Sequence, residues 1–139
     1  MALTQGQTTS FKVEKLRAIH NFDTGGDVFK LALYLDSATL GADTTAYTAA
    51  GEITGTGYTA GGNTLVNITP SASGTIGVTS FETTGWTGAL TARGGLIYNS
   101  SKANRSVCVL DFGSNKTSST AFVVQFPTPI GTAAIISES

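Results

Sequence analysis

The sequence predicts a mainly β domain, an antiparallel β-sandwich or jelly roll of about eight strands with one short N-terminal helix. Three observations carry this expectation. Short runs rich in Val, Ile, Leu, Phe and Thr recur between clusters of Gly, Pro, Asn and Ser. The stretch Arg93 to Phe112 reads as two strands joined by the polar turn Asn99–Asn104, a hairpin with a loop longer than two residues. Charged residues are only 12 % of the chain, about half the roughly 25 % of an ordinary soluble domain. Thr, Ser and Gly are left to cover the exposed strand faces.

Taken in order, residues 1–9 form a polar arm. Ser10 is placed to cap a helix from Phe11 to about Asn21, with Val13, Leu16, Ile19 and Phe22 on a shared face and Lys12, Lys15 and Arg17 pointing elsewhere. Thr24-Gly25-Gly26 ends it. Val28 to Leu35 alternates as a strand, with Phe29, Leu31, Leu33 and Leu35 opposite Val28, Lys30, Ala32 and Tyr34. Ala38 to Gly62 is small and polar, too long for a plain connector in a compact domain. It reads as a loop packed on the domain through Tyr47, Ile53 and Tyr58, with a short helical turn near Thr44–Ala49. Further strands are expected at Leu65–Thr69 (ended by Pro70), Thr75–Glu82, Thr87–Ala92, the two arms of the hairpin, Ala121–Phe126 and Ala133–Ser137. The expected organisation is an arm and helix over residues 1–22 and one β domain over residues 23–139.

The 139 residues suffice for a core without staples. A formal net charge of −1 supplies no basic excess for nucleic acid. One cysteine cannot form an internal disulfide, and one Cys with one His cannot make a zinc site. The N-terminal M-A-L-T-Q-G-Q-T-T-S lacks an apolar core, so no signal peptide is expected, nor any membrane helix. Weak surface charge suits a protein packed against copies of itself.

No catalytic constellation emerges. His20 stands alone, and no G-x-S-x-G elbow accompanies it. Gly55 to Ala60 formally matches a dinucleotide fingerprint, but it lies in a Thr/Gly loop rather than between a strand and a helix. The N-x-S/T triplets at Asn67, Asn99, Asn104 and Asn115 are what a Thr/Ser-rich chain gives by chance. Cys108 alternates with Leu110 and Phe112 as a small buried hydrophobe. Arg93 and Asp111 are charges in or beside hydrophobic strands, either solvated or paired within the fold or across subunits. Trp86, between Gly85 and Thr87, reads as a core or interface anchor.

Several stretches together carry a resemblance. They are S-F-K-V-E-K-L at Ser10–Leu16, H-N-F at His20–Phe22 and D-V-F-K-L-A-L-Y at Asp27–Tyr34. S-A-T-L-G-A-D-T-T-A-Y-T at Ser37–Thr48, E-I-T-G-T-G-Y-T-A-G-G at Glu52–Gly62, A-R-G-G-L-I-Y-N-S-S-K at Ala92–Lys102 and V-L-D-F-G at Val109–Gly113 continue it. With these the chain resembles small proteins encoded in the structural regions of tailed bacteriophages and prophages. The resemblance implies a virion component made in the host cytoplasm, a capsid decoration or cement protein on the outer surface of the major capsid protein shell. It further implies a homotrimer and brings no catalytic residues with it; with the residue patterns above, no enzymatic activity, cofactor, metal, nucleic-acid or membrane partner is expected. Candidate capsid or subunit contacts are Lys12, Lys15, Arg17, Tyr47, Tyr58, Trp86, Arg93, Arg105 and Asp111. Two alternatives stay open. One is a tail, neck or fibre-associated protein using the Ala38–Gly62 loop as its contact surface. The other is a carbohydrate-binding module with Trp86 and Tyr47 or Tyr58 as an exposed platform.

Overall fold

The computed structural model describes residues 3–126 and 136–138. In chain order the elements are β1 (Gly6–Gln7), α1 (Thr9–Leu16), β2 (Phe29–Tyr34), β3 (Asn63–Thr64), β4 (Asn67–Ser73), β5 (Ile76–Phe81), β6 (Thr84–Thr87), β7 (Thr91–Asn99), β8 (Arg105–Thr117), β9 (Ala121–Val124) and β10 (Ile136–Glu138). They form a five-stranded sheet ordered β1-β8-β7-β2-β3, a three-stranded sheet β10-β5-β4 and the ribbon β6-β9, every strand pair being antiparallel. The result is a mainly β, sandwich-like domain with one short helix.

The alternation in β2 explains the layering. Phe29, Leu31 and Leu33 face one way, into a core shared with Leu65, Phe81, Trp86, Phe122 and Ile136 from the second layer of strands. Ala32 and Tyr34 face the other way, into a smaller core with Leu96, Tyr98 and Val109 that is covered by Leu3, Ala38, Leu40 and Tyr47. The N-terminal arm and the long loop therefore act as the outer cover of the central sheet. Both faces are dry, and β2 carries apolar residues at almost every position for that reason. The hairpin of β7 and β8 lies at the middle of the sheet, as its hydrophobic density predicts. Its five-residue connection, Ser100–Asn104, holds Ala103 and Asn104 at positive φ.

Several boundaries differ from the sequence reading. The helix begins two residues early, with Thr8 rather than Ser10 as its cap; Thr8 Oγ1 accepts from the Phe11 N–H at 3.3 Å. It stops at Leu16, because Ala18 turns left-handed at φ 58°. Ala18 N–H then bonds the Lys15 carbonyl and Ile19 N–H the Glu14 carbonyl, both at 3.1 Å, the Schellman closure with alanine where glycine is usual. Its buried residues are Phe11 and Glu14, while Val13 and Leu16 face out. The Thr44–Ala49 segment is extended instead of helical, since Ala46 bridges Arg105 of the hairpin. Pro70 lies inside β4 rather than ending it. β4 is an edge strand with a bulge between Ile68 and Ser71, the place where a missing N–H is tolerated. The expected strand Thr87–Ala92 is split between β6 and β7, because Gly88 at φ 149° lies against the Thr56 carbonyl and admits no side chain. The expected Ala133–Ser137 strand falls partly outside the described residues; Ile136–Glu138 pairs with β5.

Candidate interaction surface

The polar chemistry of the chain gathers where α1 crosses the β7–β8 hairpin. Phe11, with no exposed surface, anchors the helix by packing edge-on against Phe22 and beside His20. Glu14 faces inward because two partners await it. His20 Nε2 lies 2.7 Å from Oε1, and Arg105 Nη1 donates to Oε2 at 3.1 Å. The Asn99 amide fixes the roles. Its Oδ1 accepts from the Ser101 N–H, and its Nδ2 reaches both Asp27 Oδ2 at 2.8 Å and His20 Nδ1 at 3.0 Å. An amide nitrogen only donates, so His20 Nδ1 accepts and the proton stands on Nε2, aimed at Glu14. Lys102 Nζ closes the chain on Asp27 Oδ1 at 2.6 Å. Burial works against ionising Asp27, but the hydrogen bonds from Lys102, Asn99 and the Asn21 N–H prevail and hold its carboxyl below the ordinary 3.8.

A groove of about 670 Å³ opens over this network, lined by Ala18, Ile19, Asp27, Lys102, Ala103 and Arg105 among others. Ala18, Ala103 and Asn104 are the non-glycine residues at positive φ among the described residues, and Ala18 and Ala103 stand in its wall. Backbone strain of this kind persists only where the surroundings hold it. Outside the groove, the solvent face of α1 carries Lys12, Val13, Leu16 and Arg17, all exposed. Lys15 instead folds back, donating to Gln7 Oε1 at 3.1 Å with its ammonium 5.1 Å from the Phe11 ring centre.

The other candidate residues lie elsewhere. Arg93 Nε donates to Asp111 Oδ1 at 2.9 Å, so these two strand charges pair within the chain. The same oxygen accepts from the Gly113 N–H, which ties down the bulge of β8 opposite Arg93. The Arg93 hydrogen bond holds the Asp111 carboxyl below its usual range. Tyr47 and Tyr58 both donate to Glu52, Tyr47 to Oε1 at 2.6 Å and Tyr58 to Oε2, where the Gly61 N–H also arrives at 2.7 Å. Tyr47 also packs on Tyr98 with ring centres 4.9 Å apart. Trp86 is 5 % exposed and contacts Tyr58 and Phe122. Its indole N–H has no hydrogen-bond partner among the described residues. These rings are therefore structural anchors, and Trp86 with Tyr47 or Tyr58 makes no exposed platform. Cys108 is buried, and burial pushes its thiol up to about 12.

No family model, curated protein or solved structure matches the chain.

Of the candidate residues, Arg105 lies in the groove together with Lys102, which the sequence reading did not single out, while Lys12 and Arg17 stand exposed on α1 and at its C-cap. Lys102 lies in a turn that looks merely polar in sequence; only the folded hairpin carries it to Asp27. Glu14, Asp27 and Asn99 were likewise missed as a group, because 72 to 91 residues separate the partners. The arrangement can bind a surface through an apolar strip with basic flanks. Among the described residues it has no group of three His, Cys, Asp or Glu able to hold a metal.

Proposed function

We propose that this chain is a virion structural protein of a tailed bacteriophage, a capsid decoration or cement protein that binds the outer surface of the major capsid protein shell and stabilises it. The observation that carries the reading is the outward apolar strip of α1, Val13 and Leu16, exposed at 51 % and 90 % between Lys12 and Arg17. A helix in a compact domain ordinarily turns such residues inward; here a carboxylate takes the inner place. The resemblance over Ser10–Gly113 supports the same reading. So does the firmly covered β domain, which presents a docking helix without needing the arm to be free. Self-association, as a homotrimer, belongs to the proposal, as do the virion surface as its location and the major capsid protein as its partner.

The testing experiment is a cryo-EM reconstruction of virions carrying the protein, backed by rebinding of purified protein to stripped shells. Density over the capsid faces, with occupancy lost in a Leu16→Glu variant, is the expected result. Density confined to the tail vertex refutes the reading and favours a tail or neck component.

A further inference from the structure

We infer that the free edge of β9 takes up an extended peptide segment of a partner protein, bound as an added strand with an acidic residue opposite Lys116. This goes beyond the proposed function and does not rest on it. The β7–β8 hairpin runs on into the β6–β9 ribbon: the Ser118 N–H donates to the Leu90 carbonyl and the Gly88 N–H to the Thr120 carbonyl, both at 2.8 Å. In an antiparallel pair, opposite residues exchange backbone bonds at every second position. Gly88 bonds Thr120, so Trp86 bonds Phe122 and Thr84 bonds Val124 in turn. The backbone groups of Ala121 and Val123 then point away from β6. The facing strand obeys the same alternation, since the Gly85 carbonyl, opposite Val123, is turned outward to accept from Asn63 Nδ2 at 2.7 Å. Among the described residues no strand pairs with the outward edge of β9.

A groove of about 450 Å³ runs along this edge. Residues 121–125 line it in unbroken succession, from both faces of the strand, which places it beside the backbone rather than over one face. Phe112 and Lys116 of β8 line it too, and the Phe112 and Phe122 rings, 6.1 Å apart, give it an apolar wall. These features select the occupant. The outward N–H and C=O groups of Ala121 and Val123 recur at roughly 7 Å. An extended peptide presents acceptors and donors at that spacing, whereas a helix spends its own internally. Lys116 is exposed, without an ion-pair partner among the described residues, and is the one charged residue lining the groove. A carboxylate on the incoming segment complements it. Folded domains guard exposed edges with proline, charge or a bulge. The β4 edge has both Pro70 and a bulge. The A-F-V-V of β9 has no such guard, and its Val123 is 57 % exposed.

The test is NMR of the isotope-labelled full chain, titrated with a blocked peptide of alternating valine and threonine closed at both ends by aspartate. The same peptide closed by lysine, and the aspartate peptide with N-methylated valines, are the controls. The expected result is that the Ala121 and Val123 amides shift and become protected from exchange. The lysine peptide binds about threefold more weakly, and Lys116→Glu reverses that preference. N-methylation weakens binding at least about tenfold. Val123→Pro removes an N–H that the β6 pairing does not use and abolishes binding. Should Val123→Pro disturb the ribbon, the methylated peptide and the exposed Lys116→Glu site decide. Unmoved Ala121 and Val123 amides overturn the inference, as do indifference to N-methylation and a preference for acid that survives Lys116→Glu. Sedimentation equilibrium without peptide supplies the last arm: an oligomer that Val123→Pro dissociates makes a second copy the occupant and overturns it equally. None of these outcomes bears on whether shells bind the protein, which the capsid-occupancy experiment decides alone.

Discussion

Replacing Glu52 by alanine is expected to loosen the whole cover of the central sheet. Its carboxylate accepts from Tyr47 Oη at 2.6 Å, from the Gly61 N–H at 2.7 Å and from Tyr58 Oη. Those donors come from three points of the 38–62 loop, and Tyr58 Oη in turn accepts the Leu33 N–H of β2 at 3.0 Å. A hydrogen bond to a charged group contributes about 1.5–3 kcal/mol when buried. Glu52 is half-buried, so about 1 kcal/mol for each of the three is the reasoned figure, a loss near 3 kcal/mol in all. For a chain of this length that corresponds to a fall in Tm of about 10 °C. Glu52→Gln keeps one acceptor oxygen and should lose about half as much. The assay is thermal unfolding by circular dichroism, paired with amide exchange at Gly61, whose N–H reports the bond directly. A Glu52→Ala variant melting within ~2 °C of wild type, with Gly61 still protected, would refute the reasoning and show the loop to be held by its other anchors, the buried Ala38, Leu40 and Ile53 and the Tyr34 and Tyr98 hydroxyls on the Thr48 and Gly61 carbonyls.

Gly62 sits at φ +80°, where a Cβ would overlap the Leu31 carbonyl oxygen. Gly62→Ala should therefore cost about 2–4 kcal/mol by chemical denaturation, while Gly74→Ala, also at positive φ but with nothing near its Cβ, should cost about 1 kcal/mol. At alkaline pH, burial and then the Glu52 carboxylate raise the Tyr47 and Tyr58 hydroxyls, Tyr47 to about 12, and burial first of all raises Tyr34 and Tyr98. A raised folded pKa favours the neutral form, so this stability is intact below 10 and is lost as pH climbs toward 12 and beyond; unfolding against pH with tyrosinate absorbance should show both changes together. At the acid end the sign reverses. Asp27 and Asp111 lie below 3.8, so their contribution holds above that value and disappears as pH falls through the folded pKa; Asp27→Asn should flatten that limb. Arg93→Ala should speed amide exchange at the Gly113 bulge in the isolated domain, and unchanged exchange there would show the bulge to be held by other contacts.

The sequence displayed what depends on local pattern. Phe29–Tyr34, the hairpin and the anchors Tyr47, Ile53 and Tyr58 were legible because alternation and turn residues declare themselves over a few positions. The inward face of α1 was not. Apolar spacing points to Val13 and Leu16, whereas burial of Glu14 depends on Arg105, far along the chain. Pro70 misled because its tolerance comes from an edge position that only the sheet order reveals. The pairing of Arg93 with Asp111 was one of two open readings, and only the β7–β8 register decides it. The two-residue strands β1 and β3 carry no periodicity at all, and their partners define them.

The strand order also sets a clock. β2 leaves the ribosome before β7, and Tyr34 meets its neighbour Gly94 only after roughly sixty further residues of chain, about 3–12 s of synthesis at ordinary rates. During that interval the F-K-L-A-L-Y segment has its central sheet neighbour still unmade, a window in which copies on one message can find each other first. Slower translation over residues 35–90, or a chaperone that holds this segment, would then govern how much chain reaches its folded form.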